Sequence, residues 1–512
     1  MLALGLWRLD RGGMWRDEAV TFQVARRSVP QIWQLLHTVD AVHGLYYLLM
    51  HAVLAPHPGE VALRLPSVCA AAATAGLVAA LGVRLCRPRV GLWAGLLYAV
   101  TPMTGHFAQE GRSYALVAAG AAGATLLLVR AVRLGSGGWW VYGVTVAVTC
   151  LLHEMAALLL LGHAATLALA RVPARVWRGW GGAAGAVMLL LLPLLLVSQR
   201  QSAQVAWLPR PDLESVDRLL EAFTGPAVAG PCLVLIVVAV HPPFAGRGLT
   251  LQTVALPLMV VPPAVLIGVS QFSPLYDDRY VLYALAGAPL LVAAGAERLA
   301  GAVSRLRAKR PKGGIPRPLL APFARVPAVP LFRVPAVSLT RVPAVALIGV
   351  LAIALALVCQ LPLLRQDRIP DRRPDNLAAV SAVAGRELRP GDPVLFVPAL
   401  ARRSALAYPK GFHGVWDVAL RVPAPVSGTL YGKETGPGEL RRRLERLDRV
   451  WVVTEPFALR PTWYPSSATE RVKLAVVYEE FVARQEVVRK GVTLRLYVRR
   501  PPIRLVEWAA AD

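Results

Sequence analysis

The densest group of reactive side chains lies near the amino terminus: Trp15-Arg16-Asp17-Glu18-Ala19, then Asp40-Ala-Val-His43-Gly-Leu-Tyr46-Tyr47, then Arg64-Leu-Pro-Ser67. Two adjacent carboxylates beside apolar spans are costly unless they are solvated, paired with cations or used in chemistry. Helical neighbours point about 100° apart, so one of Asp17 and Glu18 can face a substrate while a cation holds the other. The plainer alternative is a solvated loop start. Three later motifs add matching chemistry: Gln109-Glu110-Gly111-Arg112-Ser113-Tyr114, His153-Glu154, and Tyr276-Asp277-Asp278-Arg279-Tyr280. The forked donors of Arg64, Arg112 and Arg279 suit a phosphate. His43 and His153 can each donate a hydrogen bond or bind a metal, against the plainer reading of a satisfied interfacial histidine.

The elements that must position these residues are membrane spans. Of 512 residues, 55% are hydrophobic and 17% charged, with a mean hydropathy of +0.50 and a net charge of +25. Ordinary soluble chains carry about 25% charged residues, so a cytosolic enzyme and a disordered tail protein both fit poorly. The apolar residues gather into ten windows near 66–83, 90–106, 114–130, 138–152, 155–170, 180–198, 227–241, 249–270, 280–296 and 344–363. Each is close to the length of about 20 residues that crosses a bilayer. Alternate connections carry Arg84, Arg87 and Arg89, then Arg130 and Arg133, then Arg171, Arg175 and Arg178, then Arg247 and a basic stretch at 298–343. These are expected inside. All the reactive motifs then fall on the extracytoplasmic face of a plasma-membrane protein, with residues 10–65 as the first outer loop. The basic excess thus reads as topology rather than nucleic-acid binding.

Met1 to Leu9 supplies about half a span, which suggests a start further upstream and about eleven spans with the first incomplete. The five cysteines lie in or beside spans and support no disulfide framework. The basic insert repeats Arg-Val-Pro-Ala-Val at Arg325, Arg333 and Arg341, a stiff Pro-rich linker. Residues 1–363 therefore form the multi-span domain. Residues 364–512 alternate helix and strand: a helix at 375–388, a strand at 394–397, a helix at 439–447, strands at 450–453 and 492–498. This is a small α/β extracytoplasmic accessory domain. It has no nucleotide-binding glycine loop.

In order, Trp15-x-Asp17-Glu18-Ala19-x-Thr21, His43-Gly-Leu-Tyr-Tyr47, Arg64-Leu-Pro-Ser67, Gln109-Glu110-x-Arg112-x-Tyr114 and Arg279-Tyr280 resemble the bacterial GT-C membrane glycosyltransferases. The similarity is to the protein O-mannosyltransferase and aminoarabinose-transferase type, glycosyltransferase family 39, and covers about Met14 to Ala296. It implies a polyprenyl-phosphate-linked sugar donor, favours mannose or a similar sugar, and makes Asp17 the catalytic base with Glu18 its companion. Arg64, Arg112, Arg279, Tyr280, His43, Tyr46, Glu110, Gln109 and His153 are then expected to contact donor phosphate or substrate. A phosphate leaving group needs no strong acid, so one base and several cations suffice for a single inverting displacement. The acceptor would be a glycan, lipid or secreted protein at the membrane lipid surface, with no nucleic acid involved. No cofactor is specified, and a divalent metal is compatible with the motifs without being readable from them. Gly44 stands where the family pattern has proline, and the repeat insert is unusual for it. A transporter or lipid flippase is the alternative, but such proteins carry polar residues within spans and symmetric repeats; here the ionisable residues sit at span ends.

Overall fold

The structure, a computed structural model, describes residues 1–501 except 11, 136–137, 206, 242–247, 310–343, 370–374 and 490. A five-residue helix, α1 (Leu2–Leu6), leads into three short helices of the first loop, α2 (Arg16–Ala25), α3 (Val29–Leu36) and α4 (Gly44–Leu54). The loop expected at 10–65 is thus itself largely helical. Helix α5 (Glu60–Leu85) begins six residues before the expected span, because Pro66 sits inside it rather than at its start. A proline there removes a single ladder bond, which a packed membrane helix tolerates.

The window at 90–106 is two helices, α6 (Pro88–Val100) and α7 (Pro102–Ala108). Pro102 forces Thr101 into the extended region and breaks the span. Next come α8 (Tyr114–Leu134) and α9 (Trp139–Leu152), which ends at His153 in extended backbone before a short 3-10 turn and α10 (Leu158–Leu169). Helix α11 (Ala174–Arg200) runs the full expected length and beyond. The stretch expected as outer loop before 225 contains the amphipathic α12 (Leu213–Thr224), capped by Asp212. It joins α13 (Ala229–Val240) across an 83° bend at Gly225. Helix α14 (Leu251–Ser270) follows, then a 3-10 segment at Asp278–Ala286 that continues into α15 (Gly287–Lys309) and, further on, α16 (Ala344–Gln366). Residues 298–309, expected in the insert, prolong α15; the first two repeats and residues 341–343 of the third lie outside the described residues. Six of the helices are long and apolar enough to cross a membrane, or seven with the bent α12–α13 pair counted as one, among the described residues. The protein is a multi-pass membrane protein.

The carboxy-terminal part holds, in order, α17 (Leu377–Glu387), β1 (Pro393–Val397), α18 (Arg403–Ala407), β2 (Trp416–Asp417), β3 (Leu420–Val422), α19 (Ala424–Ser427), β4 (Lys433–Glu434), α20 (Pro437–Glu445), β5 (Arg449–Thr454), α21 (Ala468–Glu480), β6 (Phe481–Arg489) and β7 (Val492–Arg499). Five strands form one sheet, β2-β1-β5-β7-β6, parallel across β2, β1 and β5 and antiparallel beyond. Strand side chains alternate between faces. Val394, Phe396, Trp451 and Val453 join the core that runs into the helical bundle, whereas Leu395, Val397, Val450 and Val452 pack with Leu440, Leu444 and Val476. One sheet face is therefore committed to the membrane part.

Candidate active site

Helix α2 begins with Asp17 and Glu18 in its first turn, where the helix dipole favours negative charge. The two carboxylates have different surroundings. Glu18 is fully buried: Arg64 donates from Nε to Oε1 at 2.8 Å and from Nη2 to Oε2 at 2.9 Å, and the Gly111 backbone N–H donates to Oε1 at 2.9 Å. Arg64 also donates to the carbonyls of Leu9 (3.1 Å), Gly12 (3.2 Å) and Gly13 (3.2 Å). Gly111 must lack a side chain, since a Cβ there would strike Leu63. Arg64 is 0% exposed and is not placed to clamp a phosphate, contrary to the expectation from sequence; it locks the amino-terminal segment to α2. Glu18, expected beside the base, serves the same frame.

Asp17 lies at the open edge, 24% exposed, and accepts from Arg279 Nη1 at 2.8 Å. Arg279 is also 3.1 Å from Asp277 and sits over the rings of Trp15, Tyr114 and Tyr280 at 5.6–5.9 Å. Such stacking fixes a guanidinium plane while leaving donors free to reorient. Tyr280 lies in turn 4.9 Å from the His153 ring.

Arg112 comes from the α7–α8 link, which Ser67 ties down by donating to the Glu110 carbonyl at 2.7 Å. Its Nη2 donates to His43 Nε2 at 2.6 Å and its Nη1 to Thr21 at 3.3 Å. Arginine only donates, so His43 accepts at Nε2 and carries its proton on Nδ1. His43 ends a 3-10 turn whose leading residue, Asp40, has a positive φ of 57° and accepts from Tyr47 Oη at 2.8 Å. Gln201, beyond α11, holds the turn by accepting from the Ala41 N–H at 3.0 Å. The His153 ring centroid is 5.6 Å from that of His43, and its Nδ1 accepts from the Met155 N–H. Burial, reinforced by Arg112 and Arg279, pushes His153 down to about 3, so it is neutral.

Around Arg112 several buried polar atoms have no hydrogen-bond partner among the described residues: His43 Nδ1, Tyr46 Oη, both carboxylate oxygens of Glu110, Arg112 Nε and Ser113 Oγ. Buried polar atoms are nearly always satisfied in folded proteins, so these six are open to a hydrogen bond with water or a ligand. Burial drives the Glu110 carboxyl up to about 7 despite His106 and Arg279 nearby. Gln109, expected at the substrate, instead donates at 2.8 Å to the carbonyls of Gly5 and Trp7 and caps α1. Among the described residues no group of three His, Cys, Asp or Glu side chains is gathered to hold a metal.

Sequence reasoning missed the residues that come from afar. Asp375 accepts from Arg16 at 2.9 Å, and Arg27 donates to the carbonyls of Thr429 and Leu430, fastening the carboxy-terminal domain to α2. Gln201 and Asp375 carry no motif, and only the tertiary structure brings them in.

No family model and no curated protein matches the chain. Among solved structures it is similar to ArnT from Cupriavidus metallidurans. In the apo state the identity is 14% and the TM-score 0.59; in the structure bound to undecaprenyl phosphate they are 13% and 0.57. Each match covers 97% of this chain and 96% of the other. The chain thus has the fold of the ArnT structures along nearly its whole length.

Proposed function

We propose that the protein is a membrane glycosyltransferase that moves a sugar, mannose or a similar hexose, from a polyprenyl-phosphate donor to a hydroxyl outside the membrane. The observation that carries this reading is the Asp17–Arg279 pair at the open edge of the site, beside buried Arg112, on a fold whose ArnT counterpart has been solved with undecaprenyl phosphate. Asp17 accepts the acceptor hydroxyl proton as its oxygen attacks the anomeric carbon. The bond from that carbon to the phosphate oxygen breaks, the electron pair leaves on the polyprenyl phosphate, and the configuration inverts. Arg279, held by three rings, and Arg112, held by His43, stabilise the charge that gathers on the phosphate. The unpartnered atoms of Tyr46, Glu110 and His43 supply hydrogen bonds for sugar hydroxyls. Glu18 and Arg64 are positioning residues.

The opposite ends of the spans support the sidedness. Arg84, Arg87, Arg89, Arg133 and Arg175 gather there: Arg133 donates to the Arg84 carbonyl, and Arg87 and Arg89 pair with Glu297. Basic residues favour the cytoplasmic side, and this bias supports a reading with the site and the carboxy-terminal domain outside. The test is transfer from a labelled polyprenyl-phospho-sugar by purified Asp17→Asn protein. Loss of a proton acceptor should lower turnover by about 10²–10⁴-fold with folding intact; turnover equal to the parent contradicts the reading.

A further inference from the structure

Between the first loop and the carboxy-terminal domain lies a second cleft, of about 670 Å³, lined by Phe22, Arg26, Glu60, Arg386, Tyr408 and Lys410 among others. It is separate from the transfer centre. Phe22 is five residues along α2 from Asp17 and so points about 140° away from it, and the sealed Glu18–Arg64 pair occupies the side of α2 near Phe22. The volume falls in the usual range for ligand sites, about 300–1,000 Å³.

Its charge is unbalanced. Arg26, Arg386 and Lys410 are exposed, and among the described residues none of their side chains has a carboxylate partner or a hydrogen bond; the Arg26 guanidinium only rests over the Phe22 ring at 5.1 Å. The sole carboxylate of the lining, Glu60, accepts from Tyr408 Oη at 2.7 Å. In the carboxy-terminal domain the buried Arg402, Arg403 and Lys473 are matched, by Asp417, Glu455 and Glu434; the three cleft cations, which reach solvent from one concavity, are not. Three unmatched cations converging on one concavity concentrate positive potential there and attract an anion.

We propose that this cleft seats an anionic glycan, one carrying carboxylates or phosphates along its chain. On the transferase reading, on which this role rests, the seated stretch belongs to the acceptor and lies away from the hydroxyl that receives the sugar. The cations grip the charged groups and Phe22 and Tyr408 offer apolar ring surface to the sugars.

The experiment uses the full-length protein in zwitterionic nanodiscs, fluorescein-labelled hexagalacturonate as probe and maltohexaose as neutral competitor, read by anisotropy. The parent should bind the probe, more weakly as salt rises. The R26Q/R386Q/K410Q variant, and separately K410E, should bind about tenfold more weakly or worse. Maltohexaose should not compete. Equal binding by parent and triple variant, or effective competition by maltohexaose, overturns the seat. Loss of probe binding when the nanodisc lipid is made anionic overturns the glycan assignment in favour of a lipid headgroup. Transfer to a small neutral acceptor should be unchanged in both variants. If the parent binds the probe and the variants do not while no protein transfers sugar, the seat stands and the transferase reading falls.

Discussion

The two ends of the helical bundle each carry arginine–glutamate pairs, and the pairs differ in kind. At the basic end Arg87 and Arg89, 53% and 34% exposed, share Glu297. At the other end, about 39 Å away along the 26 residues of α5, Arg64 and Glu18 are both 0% exposed. Glu297 is itself only 8% exposed, but both its arginines reach water, which screens the pairs and weakens their contribution. A buried pair costs desolvation and is retained where its geometry matters. Only the second end has a partly open carboxylate beside its sealed one. Within the helical bundle, abundance of charge thus marks topology, and a pair sealed on both partners beside an open carboxylate marks the candidate site.

Four changes probe that contrast. Arg279→Gln removes a forked cation from the open edge and should lower transfer by about 10²–10³-fold, measured as initial rate with labelled donor. Arg64→Ala leaves Glu18 charged and buried without its arginine, and should destabilise the protein by about 3–5 kcal/mol, read as a lower melting temperature in detergent; pairing it with Glu18→Leu should restore much of the loss. Glu110 gives a pH signature. Its carboxyl ordinarily titrates at 4.5 and is raised to about 7 in the fold. The folded state therefore keeps a proton that the unfolded chain releases, and stability falls as pH rises from 4.5 to 7. Glu110→Gln should match the parent below pH 4.5 and exceed it above pH 7 by up to ~3 kcal/mol, seen in melts across that range. Glu297→Gln, the smallest, should cost less than about 1 kcal/mol and leave transfer unchanged.

Much of this was legible in the sequence because a membrane imposes long apolar runs and because acids near them are conspicuous. Windows such as 114–130 and 249–270 coincide with α8 and α14. Prolines cut both ways: Pro66, at the edge of an apolar window, is internal to α5, while Pro102 breaks a window that is continuous in hydropathy. Strand β6 has no alternating signature in the sequence, since its Arg484, Gln485 and Glu486 face solvent at a sheet edge. In the site, Asp17, Arg112, His43 and Arg279 stand out by type and spacing. Sequence spacing could not separate Asp17 from Glu18. That distinction comes from Arg64, 46 residues further along the chain, and from the Gly111 N–H, neither of which adjacency in sequence reveals.

The most direct test measures single-turnover transfer and donor binding together for the parent, Asp17→Asn and Asp17→Glu. If Asp17 is the proton acceptor, donor affinity should persist in all three, the chemical step should fall by about 10²–10⁴-fold in Asp17→Asn, and Asp17→Glu should recover part of it. A chemical step as fast in Asp17→Asn as in the parent would contradict the account.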